Sequence, residues 1–216
     1  MIFTNLFFDL DGTLIDSRPG IFNSVFYTLE KLQIPEIDWP SDLNPFIGPP
    51  LRNSFKSLFG FDDAMAELAT VTYREYYGRQ GLYEFEVYEG IPEALHQLSD
   101  NGFKLSLVTS KAEIYAVKIA EKAGFTALLE TVSGCEISGQ RSEKAELIIY
   151  TLEKLGLEPS SKILMIGDRN YDIIGARLTG ISSAAVLYGY GSSAELAVEN
   201  PDIIFASPQE MVTKLI

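Results

Sequence analysis

Cysteine and histidine are almost missing from this chain: 216 residues contain one of each, Cys135 and His96. A single cysteine excludes an intramolecular disulfide and fits a reducing compartment. A cysteine nucleophile would need a base beside it. The one histidine falls in a helical stretch after Pro92 that reads as surface, so both residues read as inert. Cationic residues are also scarce, with 17 Lys and Arg against 30 Asp and Glu and a formal net charge of −13. That balance argues against a nucleic-acid polymer or an anionic membrane as partner. It leaves a small anionic substrate open, because a few local cations and a metal reverse the field inside a cleft. No apolar run approaches the length of a membrane span. The first residues lack the basic segment of a signal peptide. The expectation is a cytoplasmic protein. The sequence shows no internal repeat and no low-complexity tract.

What is present begins with core-forming residues. Hydrophobic residues make up 46% of the chain, enough for a sizeable buried core. The length fits one large domain or a domain carrying an insert. The most informative stretch is Asp9-Leu10-Asp11-Gly12-Thr13, directly after the apolar run Leu6-Phe7-Phe8. Two carboxylates two residues apart leave a strand on the same side. Gly12 permits a tight turn that a side chain would block. Two acids that close repel each other, and a bound cation or a shared proton relieves the repulsion. One such carboxylate can attack phosphorus while the other moves a proton. A solvated Asp-Gly turn is the plain alternative for this motif taken alone.

The remaining periodicity divides the chain. Ile21, Val25, Leu29 and Leu32 recur at helical spacing behind Pro19. Leu51, Phe55 and Leu58 form a second apolar stripe, and Met65, Leu68, Thr72 and Tyr76 a third. Phe46-Ile47-Gly48-Pro49-Pro50 between the first two reads as a rigid loop. No strand is expected from Ser17 to about Phe85. Beyond that point strands alternate with helices. Strands are expected at 104–109, 129–133, 162–167, near 183–187 and at 202–205, and helices at 92–101, 112–123 and from Ser142 to Gly156. Such alternation predicts an α/β fold with a doubly wound parallel sheet. The expected domains are an α/β core of residues 1–16 and 87–216 and an all-helical insert of residues 17–86.

The polar residues of interest fall past strand ends or at a helix start. Asp9 and Asp11 follow the first strand, Thr109-Ser110-Lys111 the next core strand, and Gly167-Asp168-Arg169-Asn170-Tyr171-Asp172 the apolar run 162–167. Lys144 opens a helix. In a parallel sheet all carboxyl ends share one edge, so these residues would converge. Each has a plainer reading. Thr109 and Ser110 could cap the next helix, Lys144 could be solvated, Asp168 could be a turn residue and Asp172 an N-cap.

Together, DLDGT, TSK, the downstream lysine and GDRNYD resemble the haloacid dehalogenase (HAD) superfamily of phosphohydrolases. The resemblance covers essentially the whole chain, with the helical insert similar to a C1-type cap over a Rossmann-like core. It implies that Asp9 is the nucleophile, forming an aspartyl-phosphate. Asp11 would be general acid and then base. Thr109 would bind the phosphoryl group, with Leu10, Gly12, Ser110 and Lys111 around it. Lys144 would neutralise Asp9 and the phosphate. It also implies a Mg²⁺ cofactor held by Asp9, Asp168 and the carbonyl of Asp11, with Asp172 supporting through water or a hydrogen bond. Mg²⁺ takes oxygen ligands and keeps several waters, so this set suffices. Many relatives carry Lys-Pro around the third motif, whereas here the stretch is Arg141-Ser142-Glu143-Lys144-Ala145. Lys144 fits by position, and Lys111 is the fallback.

Asp11 favours phosphoryl transfer over dehalogenation, since dehalogenases of the superfamily lack that acid. Residues 17–24 hold no histidine of the kind usual in the sugar-phosphate mutases, and no span exists for a transport ATPase. Asp16-Ser17-Arg18-Pro19-Gly20-Ile21, the 47–51 loop and Gly189-Tyr190-Gly191-Ser192 resemble the phosphoglycolate phosphatase-like branch. Tyr73-Arg74-Glu75-Tyr76-Tyr77, Gly81-Leu82-Tyr83 and Gly167-Asp168-Arg169 are similar to a 5′-nucleotidase subgroup. The expected activity is Mg²⁺-dependent hydrolysis of a small phosphorylated metabolite, phosphoglycolate-like first and 5′-nucleotide second. A different class, an inactive phosphate-binding regulator, remains the alternative. Arg52 is a substrate contact or a solvated helix residue, and Tyr83 and Phe46 are packing residues before they are a stacking platform. A monomer or a homodimer is expected.

Overall fold

The computed structural model describes residues 3–48, 50–138 and 140–216. In chain order its elements are β1 (Asn5–Phe8), β2 (Ile15–Asp16), α1 (Arg18–Lys31), α2 (Leu51–Phe59), α3 (Asp63–Tyr77), β3 (Glu86–Val87), α4 (Ile91–Asp100), β4 (Lys104–Ala112), α5 (Glu113–Ala123), β5 (Leu129–Cys135), α6 (Lys144–Leu155), β6 (Ile163–Gly167), α7 (Asn170–Thr179), β7 (Ser182–Val186), α8 (Ser193–Val198), β8 (Ile203–Phe205) and α9 (Pro208–Leu215). Among the described residues no helix is long and apolar enough to cross a membrane. The contacts divide the chain into an α/β unit of residues 1–16 and 87–216 and a helical unit of residues 17–86.

The α/β unit is built on a six-stranded sheet in the order β5-β4-β1-β6-β7-β8. Every pairing in it is parallel. This is the doubly wound, Rossmann-like architecture that the alternation of strands and helices predicts. Leu6, Phe7 and Phe8 are fully buried because β1 lies between two neighbours, with Phe8 in register with Leu107 on one side and Ile166 on the other. β6 is buried along all five residues, as an unbroken apolar run should be when helices cover both faces. The chain winds outward through β4 and β5 on one side of β1, then returns to lay β6, β7 and β8 on the other. That reversal opens a crevice beyond the carboxyl ends of β1, β4 and β6, where open α/β sheets bind ligands.

Several local expectations need correction. β4 runs to Ala112 rather than stopping at Thr109, and its pairing with β5 slips between Val108 and Ala112. Val108 opposes Ser133 and Ala112 opposes Cys135, so Thr109, Ser110 and Lys111 form a bulge with more residues than its partner strand. α5 is capped at Ala112, so neither Thr109 nor Ser110 is its N-cap. α6 starts at Lys144, as the placing of Lys144 at a helix opening near Ser142 expects.

In the helical unit α3 turns a different face inward from the one its large residues suggest. Ala66, Ala69, Thr70, Thr72, Tyr73 and Tyr77 are buried, so of the expected stripe Thr72 faces inward and Tyr76 is half-buried, whereas Met65 and Leu68 are exposed. Small residues let helices approach closely, and the buried hydroxyls are satisfied on their own helices. Ser24 donates to the Gly20 carbonyl, Thr28 to Ser24 and Thr70 to Ala66. Phe46 packs edge-on against Phe55 at 4.9 Å, so it is core. Tyr83 is partly exposed. Of the 46–50 loop, Pro49 lies outside the described residues.

Candidate active site

The turn after β1 sets the first two acids. Gly12 takes φ +82°, and a Cβ there would sit 2.2 Å from Asp168 Oδ2. Glycine is therefore needed both for the left-handed turn and for the approach of the β6 loop. Asp9 and Asp11 leave β1 towards separate cations. Lys144 Nζ lies 2.9 Å from Asp9 Oδ1, and Lys111 Nζ lies 3.0 Å from Asp11 Oδ2. The repulsion expected between the two acids is thus offset by two lysines. Lys144 and Lys111 are not alternatives: one serves the first acid and the other the second.

Lys144 projects from the first residue of α6, where a cation faces the positive end of the helix dipole. It is held there by three oxygens: Asp9 Oδ1, Asp172 Oδ1 at 2.8 Å and the Val108 carbonyl at 3.0 Å. Its side chain is only 4% exposed. Burial works against its charge, but Asp172 and Asp9 outweigh burial and raise its pKa further. Asp172 is at the third position of α7, not at its N-cap, and its Oδ2 accepts the Arg169 N–H at 3.1 Å. One carboxylate thus closes the helix start and grips the lysine. Gly167 leaves room for it, since a Cβ there would lie 2.1 Å from the Asp172 carboxyl carbon.

Asp168 is fully buried at the end of β6. Its Oδ1 accepts from Thr13 Oγ1 at 3.2 Å, and its Oδ2 from the Tyr190 N–H at 2.8 Å. Burial, then Asp172 and Asp9, push its pKa up to about 8. Burial also raises Asp9, with Asp172 acting the same way and Lys144 opposing. Carboxylate oxygens of Asp9, Asp168 and Asp172 lie within 4.8 Å of one another. With all three carboxylates ionised, the single ammonium leaves two negative charges uncompensated, a state that a hard divalent cation with oxygen ligands would relieve. The Asp11 carboxylate is not in this cluster, so a metal role for Asp11 falls to its backbone carbonyl.

The other expected residues are distributed as follows. Thr109 is buried, and its Oγ1 accepts from the Lys111 N–H at 3.2 Å. Ser110 donates its hydroxyl to the Ser142 carbonyl at 3.0 Å, which ties the β4 bulge to the segment leading into Lys144. The Leu10 N–H points at the Asp9 carboxylate. Arg52 belongs to the helical unit, where it pairs with Asp63 at 2.9 Å on an exposed surface. Two contributors had no role assigned from sequence, Thr13 and the Gly189-Tyr190-Gly191 turn. A Cβ on Gly189 would lie 2.3 Å from Asp168 Cβ, and one on Gly191 would lie 1.9 Å from the Asp168 carbonyl oxygen. The available signal was two glycines flanking an aromatic residue after a buried strand, a pattern that marks close backbone approach.

A strand-end aspartate gripped by a buried lysine, a second acid two residues on, and two carboxylates from the loop and helix after β6 meet at the carboxyl edge of the α/β sheet. The haloacid dehalogenase-like hydrolase family model matches residues 6–186, and the chain belongs to that family. Among individual relatives it is 43% identical over 199 residues to a 5′-nucleotidase of Pseudomonas aeruginosa, covering 92% of this chain and 89% of the relative. It is 30% identical over 207 residues to a phosphoglycolate phosphatase of Aquifex aeolicus, covering 96% and 94%. It superposes on a crystal structure from Clostridium difficile with a TM-score of 0.93 at 37% identity, covering 100% of both chains. The chain is a phosphatase of this family.

Proposed function

We propose that this phosphatase is a Mg²⁺-dependent phosphomonoesterase for small metabolites, working through an aspartyl-phosphate on Asp9. The observation that carries the reading is the Lys144 ammonium held between Asp9 and Asp172 beside a third buried carboxylate, Asp168. Asp9 and Asp168 would hold Mg²⁺ with the Asp11 carbonyl, and Asp172 would support the group. The cation supplies charge neutralisation at the phosphoryl oxygens.

This chain's residues would do the rest. Lys144 offsets the repulsion between the Asp9 carboxylate and a phosphate dianion. An Asp9 oxygen attacks phosphorus, and the ester P–O bond breaks as Asp11 gives its proton to the departing alkoxide. Asp11 then takes a proton from the attacking water, and cleavage of the acyl-phosphate P–O bond returns Asp9 and releases inorganic phosphate. Thr109, with the N–H groups around Leu10 and Ser110, would bind phosphoryl oxygens, Gly12 would shape the turn beside them with its own N–H on the Ile15 carbonyl, and Lys111 would stay beside Asp11. The helical unit of residues 17–86 would serve as the cap that selects the leaving group, with Arg52 as one contact.

The sequence motifs favour phosphoglycolate-type substrates first. The higher identity to a relative named 5′-nucleotidase favours nucleoside 5′-monophosphates, and that second reading is carried beside the first. The test is phosphate release over phosphoglycolate, nucleoside monophosphates, sugar phosphates and pyrophosphate, with Mg²⁺ or EDTA and with Asp9→Asn as blank. Turnover that survives EDTA or Asp9→Asn sinks the mechanism. A protein that binds phosphate but turns over none of the panel would be the regulator.

A further inference from the structure

Tyr190 is unused by the mechanism, yet it connects two parts of the α/β unit that chemistry alone would not link. Its backbone N–H donates to Asp168 Oδ2 at 2.8 Å, and its hydroxyl donates to Asp16 Oδ1 at 3.1 Å. Asp16 is the last residue of the α/β unit before the chain departs into the helical unit, and Val87 is the first on its return. Tyr188, two residues earlier, packs its ring edge-on against Tyr88 with centroids 5.4 Å apart and planes at 66°. The Tyr188–Gly191 turn therefore touches the chain beside both crossing points.

Its other side is pressed onto Asp168. Hypothetical Cβ atoms on Gly189 and Gly191 would fall 2.3 Å from Asp168 Cβ and 1.9 Å from its carbonyl oxygen. A turn seated this closely cannot shift without moving the carboxylate, because packed groups have few intermediate positions. Among the described residues, Asp168 accepts hydrogen bonds from Thr13 and from Tyr190. Its orientation thus depends on a turn whose far end is fastened to Asp16.

We propose that Tyr190 is a positioning residue for Asp168: the bond from its hydroxyl to Asp16 sets the turn that aims this carboxylate at the cation, and so couples cation binding to the chain at residues 16 and 88. The proposal rests on the divalent-cation reading above. Partners that orient metal ligands shift affinity without touching the ion, and the coupling must act equally in both directions.

The probe is Mn²⁺, titrated by electron paramagnetic resonance into metal-free wild type, Tyr190→Phe, Asp16→Ala and the double variant. Tyr190→Phe keeps the N–H to Asp168 and removes the hydroxyl that bonds Asp16. It should weaken Mn²⁺ binding by about 5-fold or more. The double variant should bind no more weakly than Asp16→Ala alone, since both remove one link. Mg²⁺ should slow amide exchange at residues 16 and 88 in wild type and leave it unchanged in Tyr190→Phe. Binding of Mn²⁺ by Tyr190→Phe within twofold of wild type overturns the proposal, as do additive losses in the double variant. A wild type that binds no Mn²⁺ refutes the cation reading itself and this proposal with it.

Discussion

Replacing Lys144 with methionine removes the ammonium at the centre of the site while keeping most of the length of the side chain. The ammonium sits 2.9 Å from Asp9 Oδ1 and 2.8 Å from Asp172 Oδ1, with the lysine side chain 4% exposed and that of Asp172 1% exposed. At an effective dielectric of about 20, each contact carries roughly 6 kcal/mol of attraction, much of it offset by desolvation. Deletion of the cation leaves two buried carboxylates facing each other and Asp168, a situation that costs about 3–5 kcal/mol. For a chain of this size that corresponds to a fall in Tm of roughly 6–20 °C. The loss should depend on pH. The raised lysine pKa contributes stability that is fully present below the unfolded value and constant through neutral pH. The carboxylates behave oppositely. Asp9 is already raised by burial, against the opposing pull of Lys144, and without Lys144 it rises further, so the folded variant holds a proton that the unfolded chain has released. Stability of the variant then falls as pH rises, and its deficit against wild type widens from pH 5 to pH 8. Melting both proteins in EDTA at the two pH values is the assay. A variant that melts within about 2 °C of wild type at both would refute the reasoning. Excess Mg²⁺ should restore part of the stability but not turnover, because the transition-state charge still lacks its cation.

Other outcomes follow from the same geometry. Metal-free wild type should lose stability as pH rises from about 4 towards 8, by up to about 1.4 kcal/mol per unit, because folded Asp168, with a pKa of about 8, keeps a proton that unfolding releases. Asp168→Asn should flatten that slope in equilibrium unfolding and abolish the stabilisation by Mg²⁺. Lys111→Met should lower kcat by roughly 10- to 100-fold while leaving Mn²⁺ affinity near wild type, since Lys111 pairs with Asp11 outside the carboxylate cluster. Gly167→Ala should destabilise by about 1–3 kcal/mol in denaturant titration and lower kcat with it, because the added methyl displaces Asp172 from Lys144.

The parts of the molecule that sequence discloses are those governed by periodicity and by chemistry-bearing side chains. The apolar runs of β1 and β6 announce strands buried on both faces, and DLDGT and GDRNYD mark the loops that follow them. The bulge at Thr109–Lys111 is not legible, because it arises from unequal pairing between β4 and β5 rather than from any local residue preference. The buried face of α3 is misleading in the sequence. Helix contact there is made by Ala66, Ala69 and back-bonded Thr70, which hydropathy ranks below the exposed Met65 and Leu68. The division of labour between Lys111 and Lys144 depends on tertiary placement alone, as does the Thr13 bond to Asp168.

The order of strands also bears on how the molecule is made. β1 emerges first from the ribosome but is flanked on both sides only once β6 has been synthesised, and the contact between Thr4 and Lys162 joins residues 158 positions apart. The helical unit is one uninterrupted stretch, complete long before then. Nascent Leu6-Phe7-Phe8 must therefore wait for β4 to supply one partner and for β6 to cover the other side, with late closure of distant contacts slowing assembly. Chaperone demand during synthesis should concentrate on that short N-terminal strand.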